Sequence, residues 1–196
     1  MGEVKSAFEK AMEKMKSIEA LTPEEKAEMK DREEMRSLLA VFFKGRLNRD
    51  EIWQKFKGIK PSIMLEAQQS IADSLRLGTA QEEFRQRRDG ILAMEALKER
   101  RNPSAIESII NAMERLRKEY SQAKEQAVQQ IRAAIEQNPQ MRMRPVRTPD
   151  GRTTYQAALS VDEALQAKMS EFLSEHEKRY EEMFGQTVEK LKKELK

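Results

Sequence analysis

Apolar residues return at intervals of three and four along most of the chain, which is the period of one helix face. Val4, Phe8, Ala11, Met15 and Ile18 set the pattern at the start, in a heptad a/d spacing that predicts a helix from Glu3 to Ala20. Thr22-Pro23-Glu24-Glu25 then reads as a capping box with proline in the first turn, restarting a helix that ends in Leu38, Leu39, Val41, Phe42 and Phe43 before Gly45. Asn48 to Glu51 is a second such box, opening a short helix with Ile52, Trp53 and Phe56 that stops at Gly58. Pro61 precedes a stripe of Ile63, Met64, Ala67, Ile71, Leu75 and Leu77, closed by Gly78. Thr79 to Glu82 reads as another box, leading into Phe84, Ile91, Leu92 and Leu97, with Gly90 as a weak point inside that helix.

The second half changes scale. Asn102-Pro103 opens a helix predicted to reach Gln137, with Ile106, Ile109, Met113, Leu116, Tyr120, Ala123 and Ala127 on one face and the stripe shifting to Ile131 and Ala134. Asn138-Pro139 ends it. Met141–Thr148 and Arg152–Ala158 then flank Pro149-Asp150-Gly151, a tight-turn sequence between β-favouring residues, and predict a small β-hairpin. Pro145 confines its strand to an edge. Ser160 to Glu163 caps a last helix, whose inner side is assigned Leu165, Met169, Phe172, His176, Met183, Phe184, Val188, Leu191 and Leu195.

The fold class implied is mainly all-α. A long antiparallel helical hairpin (103–196) carries a β-hairpin (about 141–158) at its tip, and an N-terminal bundle of shorter helices fills 1–102. At the level of long helix, hairpin and long helix, residues 103–196 resemble the β-type prefoldin subunit in architecture. The opening GEVKSAFEKAMEKM together with the all-helical layout resembles uncharacterised bacterial all-helical families.

Composition sharpens this picture by exclusion. Charged residues make up 36% and apolar ones 38% of 196 residues, a balance that suits long helices exposing much surface. With no cysteine, disulfides, thiolate catalysis and cysteine-bound metals are excluded. The single His176 excludes a two-histidine metal motif, and its spacing predicts a half-buried structural histidine. No glycine-rich phosphate loop or nucleophile elbow is present. No apolar run reaches the roughly 18 residues of a membrane span, and the expectation is a cytoplasmic protein with no cofactor and no membrane. Glu28 and Arg32 are spaced to pair along a helix. Phe42, Phe43, Trp53 and Phe56 are expected to form the N-terminal core.

Charge placement singles out one segment. The net charge of +3 sits wholly in residues 138–159, where Arg142, Arg144, Arg147 and Arg152 face Asp150 alone. Arginine forks suit phosphate or carboxylate, so these four are the candidate anion or nucleic-acid contacts. If Met141 and Met143 share one side of a strand, Arg142 and Arg144 take the other. Val188, Leu191 and Leu195 are the candidate seam for a partner or a second copy. The function expected is that of a non-enzymatic scaffold, adaptor or chaperone-like protein acting through protein–protein contacts or coiled-coil self-association. The alternative is nucleic-acid association through the arginines.

Overall fold

A computed structural model describes residues 22–147, 149–157 and 159–196. The helix expected over Glu3–Ala20 lies outside them. The described chain is mainly all-α, as its periodicity requires. Its described residues divide into two compact units: those up to Ile71 with Gln81–Arg101, and Ala72–Ala80 with the residues from Asn102 to Lys196. A boundary at 102 alone therefore misses nine residues, 72–80, that group with the long helices.

In the first unit α1 spans Pro23–Phe43, α2 Arg49–Phe56, and α4 Gln81–Glu95; α3, Pro61–Ser74, belongs to it as far as Ile71. The capping boxes of Thr22 and Asn48 form as read, each side-chain oxygen accepting from the N–H of the glutamate three residues on. The Thr79 box does not form. Its hydroxyl accepts instead from the Arg76 N–H at 2.9 Å and closes the loop before α4. The helix faces bury Met35, Leu39 and Phe42 from α1, Ile52 and Phe56 from α2, Ile63 and Ala67 from α3, and Phe84, Ile91 and Met94 from α4. Of the four aromatics assigned to this core, Phe42 and Phe56 are buried, whereas Phe43 and Trp53 are 37% and 38% exposed. The exposed rings lie beside cations instead, Arg87 over Phe43 and Lys57 over Trp53. Glu28 and Arg32 pair at 2.9 Å, and the same guanidinium reaches Glu66.

The second unit is built on α5, Pro103–Gln137, and α6, Val161–Glu194. At ~1.5 Å per residue, the 35 residues of α5 span about 52 Å. Three side-chain hydrogen bonds fix their antiparallel register. Asn102 Nδ2 donates to Glu194 at one end, Tyr120 Oη to Glu177 in the middle, and an Arg132 N–H to Asp162 at the other end. The Ser160 capping box opens α6.

The buried face of α5 carries Ile110 and Ile135 in place of the expected Ile109 and Ala134. The cause is helical pitch. At 3.6 residues per turn, Ile135 returns to the azimuth of Ile106 after about eight turns, and a heptad reading drifts off that line. On α6, Met183 is 42% exposed and leaves the inner face assigned to it, and His176 is exposed rather than half-buried.

A 3₁₀ turn, Pro139–Arg142, leads from α5 into an antiparallel ribbon of β1 (Met143–Arg147) and β2 (Thr153–Ala157). Met143 pairs with Ala157, Pro145 with Tyr155, and Arg147 with Thr153. Gly151 sits at φ +80°, a conformation few other residues adopt, as a tight turn at this point needs. Among the described residues no helix is long and apolar enough to cross a membrane.

Candidate functional site

The ribbon is where the sequence concentrates its charge, but the backbone does not assemble its arginines into one face. Arg142 is not in the strand. It is the last residue of the 3₁₀ turn, half-buried, and its Nε is enclosed with no hydrogen-bond partner. The strand therefore begins at Met143, two residues later than the sequence suggested, and Met141 and Arg142 take no part in the expected back-to-back arrangement of methionine and arginine. Met143, Pro145 and Arg147 share one side of β1 through the pleat, and all three are exposed. Arg144, paired with Gln156, is out of phase with them. Arg152 precedes β2, with Asp150 at 3.7 Å from its Nε. The result is one exposed face carrying a thioether, a proline ring and a guanidinium, bordered across the ribbon by exposed Thr153.

The candidate partner seam has a different fate. Val188 is 7% exposed, Leu191 0% and Leu195 1%. These side chains are already covered in the folded chain, and they form part of its buried apolar set rather than a free surface.

Around them the second unit holds its short segment 72–80 through polar contacts. The Arg117 guanidinium donates to the carbonyls of Leu77 and Thr79, and burial lowers its pKa from the usual arginine value. Lys192 Nζ lies 2.8 Å from Asp73 and 3.0 Å from Glu189. Hydrogen bonds to Asp73 and then Glu189 raise its pKa. A cleft of about 570 Å³ here is lined by Phe184, Val188, Leu75 and Leu77, and by Asp73 and Glu189, whose carboxylates are the ones engaged by Lys192.

Sequence reasoning passed over a third place, midway along the arm. Between Leu116 and Ala127 no residue of α5 is fully buried, because Ala123 is too short to fill the space its position faces. A cavity of about 300 Å³ opens there, lined by Tyr120, Ala123, Gln126, Ala127 and Gln130 of α5 and by Phe172, His176 and Tyr180 of α6. The Tyr120 and Tyr180 rings meet at 56° with centroids 5.3 Å apart. Phe172 and His176 stack at 4.3 Å. Thus His176 is an exposed member of an aromatic pair and not a core histidine. Tyr120 Oη donates to Glu177 Oε1 at 2.8 Å. Burial first, then that bond and the charges of Glu177 and Glu181, push the phenol up to about 12. The legible signal was two alanines on α5 facing aromatic or imidazole side chains spaced by four on α6 (Phe172, His176, Tyr180).

Among the described residues no group of three or more His, Asp or Glu side chains is placed to hold a metal ion. A model of a family of unknown function, DUF6657, matches residues 50–196. No curated protein and no solved structure matches the chain, so the likeness to the β-type prefoldin subunit has no support from known structures.

Proposed function

We propose a function for this chain, which belongs to the family of unknown function DUF6657: it is a non-enzymatic helical adaptor that works through protein–protein contacts. The observation that supports this reading is the open ribbon face of Met143, Pro145 and Arg147 at the end of two long helices. A polarisable thioether and a proline ring give adaptable apolar contact, and the arginine fork gives directional recognition of a carboxylate. The partner surface that fits is acidic with an apolar centre. Burial of Val188, Leu191 and Leu195 moves the expected contact away from the base of the arm, and it removes that seam as a reason for self-association.

Nucleic-acid association is the weaker reading. Counterion release rewards several cations reaching phosphates together. Here Arg142 is half-buried, Arg144 is out of phase with Arg147, and Arg152 lies beside Asp150.

The test compares the proteins that co-purify with the intact chain and with a Met143→Asp/Arg147→Glu variant, both after nuclease treatment. The adaptor reading expects at least one partner that survives nuclease and is lost from the variant. A set of co-purifying proteins that nuclease abolishes, or that the variant leaves unchanged, would count against it.

A further inference from the structure

The cavity midway along the arm has the chemistry of a cation-binding cage. It is lined by the rings of Tyr120, Phe172, His176 and Tyr180, with Ala123, Gln126, Ala127 and Gln130 of α5. The two tyrosine rings meet at 56°, so they form a corner rather than a flat stack. The face of an aromatic ring carries a negative quadrupole that attracts a cation, so two rings set at an angle beside one cavity suit a cationic guest. Electrostatics in this place run the same way. Glu177 is anchored to the Tyr120 hydroxyl at 2.8 Å, and the lining has no lysine or arginine, its one basic side chain being His176, whose ring lies against Phe172. At about 300 Å³ the space lies at the lower end of the range for small-molecule sites.

We propose that this cavity binds a methylated ammonium group, held by the faces of Tyr120, Phe172 and Tyr180 beside the carboxylate of Glu177. Methylation matters because it spreads the charge over an apolar surface that the rings and the two alanine methyls can contact. A bare ammonium keeps its water more tightly and gains less from such walls. The group has two sources, a free choline-like molecule or a methylated lysine on another protein, and the same walls recognise both.

The experiment follows the methyl signals of Ala123 and Ala127 by NMR in the full chain. It titrates choline chloride, its neutral isostere 3,3-dimethyl-1-butanol, and a short trimethyl-lysine peptide. At least one cation is expected to shift both methyls saturably and to bind at least about fivefold tighter than the neutral isostere. Tighter binding of the peptide assigns the site to a protein-borne group, and tighter binding of choline to a free molecule. Tyr180→Leu should weaken binding by about fivefold. Ala127→Leu, which fills the cavity while keeping a good helix former, should abolish it. The proposal is overturned if neither cation produces a saturable shift, if the isostere binds as well as the cation, or if Ala127→Leu binds as the parent does.

Discussion

The Phe42 ring lies so close to the backbone of Gly90 that a Cβ at that position would stand 2.6 Å from Phe42 Cζ. Both residues are buried. Helix propensity alone says that alanine at Gly90 would stabilise α4 by up to about 1 kcal/mol. The contact reverses that sign, because a packed ring on α1 has to move. Gly90→Ala is expected to destabilise the protein by about 1–3 kcal/mol in urea unfolding. Combining it with Phe42→Leu should cost less than the two changes added separately. A stabilised Gly90→Ala protein would show that the ring is free to yield.

Glu95 is 2% exposed and pairs with Lys98 at 2.7 Å, and Gln68 Nε2 donates both to the Ile91 carbonyl at 3.1 Å and to Glu95 Oε2 at 3.4 Å. Removing the cation leaves a carboxylate in a place that water does not reach well. Because Gln68 still donates to Glu95, Lys98→Met should cost about 1–3 kcal/mol, and Lys98→Met with Glu95→Leu should recover part of that loss. Equal stabilities for the single and double variants, measured by denaturant melts, would contradict the pairing.

Arg117 ties α5 to the segment 72–80 through the carbonyls of Leu77 and Thr79. A lysine keeps the charge but offers no planar fork for two acceptors. Arg117→Lys is expected to lose about 1–2 kcal/mol and to speed amide exchange of Thr79, whose N–H donates to the Arg76 carbonyl. Unchanged exchange at Thr79 would show that the loop holds without the guanidinium.

The folded chain keeps the Tyr120 proton up to about 12, against 10.0 for an ordinary phenol. The folded state thus binds that proton where the unfolded state has released it. Tyr120 therefore contributes fully below about pH 10, and its contribution falls as the pH rises toward 12. Tyr120→Phe should remove this part of the alkaline loss, seen as a smaller drop in urea midpoint between about pH 9 and pH 11.5. An identical drop in both proteins would rule out a raised Tyr120.

Local chemistry explains what could be read from the chain beforehand. Thr22, Asn48 and Ser160 cap helices because a hydroxyl or amide oxygen three residues before a glutamate needs no distant partner. Gly151 marks its turn for the same reason. What escaped was either a local competition between two turns or a contact between residues far apart in sequence. Thr79 was drawn from its box into the loop closed with Arg76. Gly90 looked like a weak point until Phe42 arrived from α1. The first strand was started two residues too early, because the 3₁₀ turn that takes Met141 and Arg142 out of it has no strong signal beyond Asn138-Pro139. The tyrosine corner needs the register of two helices, which only pairs such as Tyr120 with Glu177 reveal.

The most direct test of the adaptor reading places a photo-crosslinking amino acid at Met143 on the ribbon's open face, and another at exposed Glu125 on α5 as a control. On irradiation in the native cell, position 143 is expected to give a discrete protein adduct that Arg147→Glu removes and that position 125 does not give. The same adducts from both positions, or none from position 143, would contradict a partner-binding ribbon.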